Sequence, residues 1–150
     1  MTDMPATPRL GLPLLAVAQA QKEVTHNEAL VVLDALVHAA VEAGPIAAPP
    51  AMPAEGQCWI VGPAATGEWS GQDGTIALWT VDGWRFLPPR EGMQALRLID
   101  RVRVRFDGVG WVAPDVIAAP GGGAVVDIEA RAALAALMLS LEAQGLMISG

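Results

Sequence analysis

Two Asp-Gly pairs between strand-like segments constrain the fold of this chain more than any other feature. IALWTVDGWRFL places Asp82-Gly83, and RVRVRFDGVGW places Asp107-Gly108, between runs in which apolar and polar residues alternate. Such a pair is a strong β-hairpin signal, because the central positions of a tight turn require a positive φ. Together with the earlier segment QCWIVG, the two hairpins predict one small, mostly antiparallel β-sheet.

Two-residue turns at these pairs would give each hairpin one apolar face. In the first hairpin this face contains Trp79, Val81, Trp84 and Phe86, with Val81 opposite Trp84 and Trp79 opposite Phe86. In the second it contains Val102, Val104, Phe106, Val109 and Trp111, with Phe106 opposite Val109 and Val104 opposite Trp111. The candidate partner contacts on the opposite face are Arg101, Arg103 and Arg105. This basic stripe either contacts an acidic partner or is a solvated strand face that deters edge pairing.

Helical segments flank the predicted β module, which makes the expected fold class α+β. The first helical segment stops at Gly44-Pro45, and the last begins with Asp127 as N-cap and ends at Gly145. The predicted order is an extended docking arm (1–18), an oligomerisation helix (19–43), a Pro-rich linker (44–56), the antiparallel β module (57–112), a Gly/Pro hinge (113–126) and a C-terminal helix (127–145).

Composition excludes several classes of protein. A net charge of −7 argues against nucleic acid as a partner, because phosphate binding requires a basic surface. The apolar runs are too short to predict a membrane span. A mean hydropathy of +0.40 in 150 residues suggests that apolar surface is buried between chains.

The first helix is polar at its start and apolar at its end. One heptad-spaced seam contains Leu30, Leu33, Val37 and Ala40 and extends back through His26 and Glu23. A second contains Val24, Val31 and His38 with Asn27, Asp34 and Val41. The candidate oligomerisation residues are Glu23, Val24, His26, Asn27, Leu30, Val31, Leu33 and Val37. The polar residues either fix the register of self-association or are merely solvated.

No motif predicts catalysis, and we expect neither a metal nor a cofactor. Glu23 and His26 have the E-x-x-H spacing of di-iron bundles, but the chain has only two histidines and lacks the second copy of the motif. Cys58 is expected to pack as a small apolar residue within a strand. We therefore expect a protein that is not an enzyme.

The five tryptophans suggest a second kind of site. Four of them alternate with other apolar residues in the predicted strands and are expected in the core, whereas Trp69 lies in the loop GEWSGQDG. We expect Trp69 to be exposed, with Glu68 and Asp73 beside it as candidate glycan contacts. In the C-terminal helix, the candidate partner contacts are Leu134, Leu137 and Leu141.

Four segments resemble an uncharacterised domain family: TPRLGLPLLAVAQAQKEVTHNEAL, EGQCWIVGPAATGEWSGQDGTIALW, GWRFLPPREGM and DGVGW. Members of that family occur in alphaproteobacterial prophages and gene transfer agent clusters, commonly labelled tail-fibre or spike-like proteins. The resemblance covers roughly residues 7–112 and is most specific in PRLGLPLL-x-x-x-QAQKEVTHNEAL. No catalytic residue of the family carries over.

The resemblance implies a virion component made in the bacterial cytoplasm, usually a homotrimer held by an N-terminal segment. The chain is short for a receptor-binding fibre, so it is expected to be a base or adaptor that attaches a receptor-facing part. Other virion proteins would then bind its N-terminal arm and C-terminal helix. The alternative is a carbohydrate-binding adhesin that contacts host polysaccharide through the Trp-rich β module.

Overall fold

The computed structural model describes residues 5–15, 22–123 and 127–150. The chain forms two compact units, Met1–Pro89 and Arg90–Gly150. Each unit combines a helix with antiparallel strands, which confirms the mixed α+β class. Within the described ranges, no helix is long and apolar enough to cross a membrane.

The first unit is built on a three-stranded antiparallel sheet with the order β2-β3-β4. Its elements are helix α1 (Lys22–Leu36), strands β1 (Ala40–Val41), β2 (Cys58–Ile60), β3 (Ile76–Thr80) and β4 (Gly83–Leu87), and a 3-10 turn (Gly67–Trp69). Every residue of β2 and the first three residues of β3 are buried. Burial of these short apolar strands supplies the core of the unit.

The turn of the β3–β4 hairpin lies one residue earlier in the chain than the sequence predicts, which changes the strand register. Thr80 pairs with Gly83, so the two-residue turn is Val81-Asp82, and Trp79 lies opposite Trp84. The Thr80 side chain sets this turn, because its hydroxyl donates to the Gly83 carbonyl at 2.8 Å and accepts from the Asp82 amide at 3.3 Å. Val81 is consequently 78% exposed instead of lying on the apolar face.

The second unit contains its own antiparallel strands, so the expectation of one sheet over residues 57–112 is wrong. Strand β6 lies between β5 and β7. The elements are β5 (Gln94–Arg97), β6 (Val102–Phe106), β7 (Trp111–Val112), β8 (Val116–Ile117), α2 (Ile128–Ala143) and β9 (Ile148–Ser149). β8 and β9 pair in parallel, so part of the expected hinge 113–126 is a strand; residues 124–126 lie outside the described ranges.

The β6–β7 hairpin has a loop of four residues rather than two. Phe106 lies opposite Trp111, and the Asp107 carboxylate accepts hydrogen bonds from the amides of Val109 and Gly110, both at 2.8 Å. An aspartate that bonds amides two and three positions ahead stabilises this wider loop. Val109 therefore lies at the tip, 94% exposed.

Helix α1 is shorter than the predicted 19–43; residues 19–21 lie outside the described ranges. It ends at Leu36 because His38 adopts a left-handed backbone with φ of 53°. Helix α2, Ile128–Ala143, lies within the predicted range 127–145. The Asp127 side chain accepts from the Ala130 amide at 2.8 Å. At the other end Gly145, with φ of 69°, closes a Schellman motif in which the Leu146 amide bonds the Leu141 carbonyl.

The expected linker and arm both have defined structure in the first unit. Within residues 44–56, the Ile46 amide donates to the Ile60 carbonyl at 3.1 Å, so this segment lies along β2. Residues 5–15, called the arm from here on, fold back on themselves through a bridge between Ala6 and Pro13. The expectation of an extended arm is therefore wrong for the described part; residues 1–4 and 16–18 lie outside it.

Candidate functional site

Asp34 fastens the arm to helix α1. Its side chain is 2% exposed, and its carboxylate accepts three hydrogen bonds from the arm. The donors are the Thr7 hydroxyl at 2.7 Å, the Leu10 amide at 2.7 Å and the Arg9 amide at 2.9 Å. A buried carboxylate needs such partners because its desolvation is costly, so arm and helix are held together by a fully satisfied buried anion.

Arg9 closes the C-terminal end of the same helix. Its guanidinium donates to the carbonyls of Ala35 at 2.7 Å and of Asp34 and His38 at 3.3 Å each. The last carbonyls of a helix have no partner within it and carry partial negative charge. The arm therefore supplies the cap that the helix lacks.

Asn27 provides a second attachment point for the arm. Its side-chain oxygen accepts from the Leu15 amide at 2.9 Å, and its nitrogen donates to the Leu15 carbonyl at 3.0 Å. Asn27 and Asp34 are seven positions apart and therefore share one side of the helix. Glu23, on the same side, is 9% exposed, and its Oε2 has no hydrogen-bond partner among the described residues. We call this side the inner face.

The candidate oligomerisation residues divide between two sides of α1. Asn27, Val24 and Val31 lie toward the arm and the β3–β4 hairpin, although Val24 stays 55% exposed. The outer seam consists of His26, Leu30, Leu33 and Val37. Leu33 and Val37 are 49% and 45% exposed, His26 is exposed and Leu30 is partly buried. The described part of the first unit thus leaves the outer seam largely uncovered.

A groove of about 590 Å³ runs between the arm, the inner face and the β3–β4 hairpin. Trp79 and Trp84 border it and are both half-buried, but the register places their side chains on the strand face opposite to Arg85. Glu28 of the helix and Arg85 of the hairpin form an ion pair across it, with N and O 3.0 Å apart.

Trp84 is the centre of an aromatic cluster. Its ring lies edge-to-face against Trp59, Trp69 and Trp79, with centroid distances of 5.6, 5.1 and 4.9 Å. Edge-to-face contacts at these distances are favourable beyond the area they bury. The cluster forms the core on the hairpin face that also carries Ala77 and Phe86.

The sequence-predicted glycan site is not formed. Trp69 is completely buried, so the expectation that it is exposed is wrong. The 3-10 turn carries its ring inward against Trp84. The Asp73 carboxylate accepts from the amides of Ala64 and Ala65, at 2.9 and 3.1 Å, and Glu68 is exposed. The three side chains therefore have separate surroundings. Trp69 lies in the core, Asp73 stabilises a loop and Glu68 faces the solvent.

The E-x-x-H pair and Cys58 can each be compared with their surroundings in the structure. No three His, Cys, Asp or Glu side chains in the described ranges lie close enough to hold a metal ion. Glu23 is buried whereas His26 is exposed, so the E-x-x-H pair does not converge. Burial raises the pKa of the Cys58 thiol to about 11, which keeps it protonated and unreactive at neutral pH.

The candidate partner contacts in the second unit differ in their surroundings. Arg101, Arg103 and Arg105 are all exposed, and the Arg103 side chain also donates to the Gln144 carbonyl at 3.0 Å, which fastens the end of α2. Leu134 and Leu137 are 47% and 55% exposed, and Leu141 is partly buried. No described residue of α2 itself is buried.

Sequence reasoning missed the two arm residues that hold the helix, Thr7 and Arg9. It also placed His38 in one helical seam with Asp34, whereas the helix ends at Leu36 and His38 has a left-handed backbone. The sequence does contain a signal for this attachment. Asn27 and Asp34 lie on one polar side of the helix, and the polar residues Thr7 and Arg9 precede that helix in the chain. The pattern alone could not tell whether that side receives a segment of the same chain or another copy.

The fold and the site define an α+β protein whose N-terminal arm is fastened to its own first helix, beside a groove bordered by the β3–β4 hairpin. The family described as a protein of unknown function (DUF2793) matches residues 26–112, more than half of the chain, and the chain belongs to this family. The matched range includes most of α1, the Trp cluster and both hairpins. A comparison with curated proteins gives no match.

Proposed function

We propose that this protein is a structural subunit of a phage-like particle, a base or adaptor that self-associates as a homotrimer through the outer seam of α1. The observation that carries the proposal is the exposure of that seam beside the inner face, which the arm occupies. Exposed apolar side chains at heptad spacing are stabilised by burial against other helices.

The spacing of the outer seam supports association between copies of the chain. His26, Leu30, Leu33 and Val37 follow one another at intervals of four, three and four residues, which is the alternation of a coiled-coil seam. A polar residue at such a position costs stability but selects register and oligomer number. In this proposal His26 has that role, whereas Asn27 belongs to the arm attachment.

The virion role rests on the resemblance of the N-terminal and β segments to tail-fibre and spike-like proteins. Two structural features agree with an adaptor. The arm is fastened to α1 by a buried carboxylate and a guanidinium cap, and in this proposal it anchors the chain to a neighbouring virion protein. Helix α2 presents Leu134 and Leu137 to its surroundings, and in this proposal it mounts a neighbouring virion protein.

The proposal is tested by asking whether the chain enters particles. A tagged chain is expressed in a bacterium that produces such particles, which are then separated on a density gradient and probed for the tag. We expect the wild type and Ala29→Ser, an exposed α1 position outside the seam, in the particle fraction. Leu33→Ser should be lost from it, because serine removes apolar area from the seam. A wild-type chain absent from particles contradicts the proposal.

A further inference from the structure

We propose that Asp82-Gly83, at the tip of the β3–β4 hairpin, is a site of spontaneous modification at which the backbone rearranges to isoaspartate. Such a modification is independent of the assembly role described above. The chain contains three Asp-Gly pairs, which are Asp73-Gly74, Asp82-Gly83 and Asp107-Gly108. All three allow the same reaction by sequence, and the contacts of each pair in the structure distinguish them.

The reaction takes place between the aspartate side chain and the backbone nitrogen of the glycine. This nitrogen attacks the Cγ atom of the neutral carboxyl group, and the new N–C bond closes a five-membered succinimide ring. The amide proton and the carboxyl hydroxyl leave together as water. Water then opens the ring at either carbonyl, which restores aspartate or yields isoaspartate with the backbone continued through Cγ. Glycine favours the attack because it has no Cβ to obstruct it.

In Asp73-Gly74 both reacting groups are held by hydrogen bonds. The Asp73 carboxylate accepts from the amides of Ala64 at 2.9 Å and Ala65 at 3.1 Å. The Gly74 amide donates to the carbonyl of the buried residue Val61 at 3.0 Å. Ring closure at this pair would therefore have to break the bonds of the carboxylate and of the attacking nitrogen, which slows the reaction.

In Asp107-Gly108 the carboxylate is held. It accepts from the amides of Val109 and Gly110, both at 2.8 Å, and must leave both donors before it can turn onto the Gly108 nitrogen. The same amides, that of Gly110 first and that of Val109 second, lower the pKa of the Asp107 carboxyl. The neutral acid form, from which water is lost, is correspondingly rarer.

Asp82-Gly83 lacks these restraints. Within the part of the chain that the structure describes, the exposed Asp82 side chain accepts no hydrogen bond, whereas its backbone amide donates to the Thr80 hydroxyl at 3.3 Å. Gly83 pairs with Thr80 in the last rung of the β3–β4 ladder, and exposed rungs at the end of an element open most easily. Exposure alone does not separate the pairs, because Asp73 and Asp107 are exposed too. The unrestrained carboxyl of Asp82 does.

Isoaspartate would change the tip of the hairpin. It adds one carbon to the backbone of the two-residue turn and shortens the side chain by the same atom. The Thr80 hydroxyl sets the present turn by its bonds to the Asp82 amide and the Gly83 carbonyl, and the longer backbone would displace both groups. We therefore expect the modified hairpin to be less stable at its tip.

The test is a peptide map of the full chain after ageing for weeks in heavy-oxygen water at mildly acidic pH, once folded and once in guanidinium chloride. Each ring opening inserts one heavy oxygen atom, so mass spectrometry measures the reaction at each pair, and electron-transfer fragmentation identifies isoaspartate. In the folded chain we expect Asp82 to react at least about tenfold faster than Asp73 or Asp107, which must first lose hydrogen bonds. In guanidinium chloride the three rates should converge.

Asp82→Glu is the matched control. Glutamate keeps the carboxylate but would have to close a less favourable six-membered ring, so this variant should incorporate no label at the hairpin. Ageing should lower the melting temperature of the wild type and leave that of Asp82→Glu unchanged. Equal rates at the three pairs in the folded chain overturn the proposal, as does a faster reaction at Asp73 or Asp107. A ranking that persists in guanidinium chloride also overturns it, because the neighbouring residues and not the fold would then set the rates.

Discussion

The carboxylate of Asp34 in α1 accepts a 2.7 Å hydrogen bond from the hydroxyl of Thr7, a residue 27 positions earlier in the chain. The same carboxylate also accepts from the amides of Arg9 and Leu10. This junction explains why a largely apolar chain carries polar residues along one side of its first helix. They bind a segment of their own chain.

Asp34→Asn should release the arm. The amide retains one acceptor oxygen but presents a donor to groups that also donate, so buried hydrogen bonds are lost. We expect the free energy of unfolding to fall by about 2–3 kcal/mol, measured by urea denaturation. Amide exchange of Leu10 and Leu12 should accelerate as well. The control Asp82→Asn lies in an exposed turn and should stay within about 0.5 kcal/mol of wild type. Equal stability of the two variants would contradict this role for Asp34.

Arg9→Lys should fray the end of α1. A lysine ammonium keeps the charge but does not span three carbonyls as the planar guanidinium does. The expected loss of stability is about 1–2 kcal/mol. Faster hydrogen exchange of the Val37 amide, which bonds the Leu33 carbonyl, would locate the effect. Arg105→Lys, at an exposed strand position, is the matched control and should change neither quantity. Unchanged exchange at Val37 would refute the capping role.

The stability of the chain should decrease in alkali because of Cys58. Burial raises the pKa of this thiol from 9.0 to about 11, so between these values the unfolded chain releases a proton that the folded chain retains. The contribution is complete below pH 9 and is lost as the pH rises toward 11. Urea denaturation across this range should show a decline that is smaller in Cys58→Ala. A thiol reagent should label the native chain slowly at pH 8, whereas rapid labelling would contradict burial of the thiol.

Gly145→Ala should destabilise the second unit. Gly145 has φ of 69°, and a Cβ there would collide with the Arg101 carbonyl oxygen. Gly92→Ala is the matched control, because Gly92 has φ of 86° with open space around it. The control should show only the cost of a left-handed alanine, about 1–2 kcal/mol, and Gly145→Ala should cost more. Thermal melts of both variants measure the difference. Equal melting temperatures would contradict the close approach.

The sequence predicted local features that depend on a few neighbouring residues. Asp127 and Gly145 cap α2 because capping is decided within one or two turns of helix. The α+β class also follows from local periodicity. Val102 and Val104 are buried and Arg103 and Arg105 are exposed, as the alternation in RVRVRF indicates.

Features that depend on single side-chain hydrogen bonds or on distant segments were not predictable. The Thr80 hydroxyl and the Asp107 carboxylate shift their hairpins away from the expected registers. Trp69 is buried although its loop is polar, because Trp84 of a distant strand receives its ring. The polar side of α1 has the same pattern whether an arm or another copy covers it, so only the fold distinguishes the two.

The most direct test of the account is the solution mass of the purified chain by light scattering, in wild type, Leu33→Ser and Asn27→Leu. In the proposed assembly, the outer seam contacts other copies and the inner face holds the arm. We therefore predict a trimer for the wild type and for Asn27→Leu, and a smaller species for Leu33→Ser. A monomeric wild type, or a trimer that Asn27→Leu dissociates while Leu33→Ser does not, would contradict it.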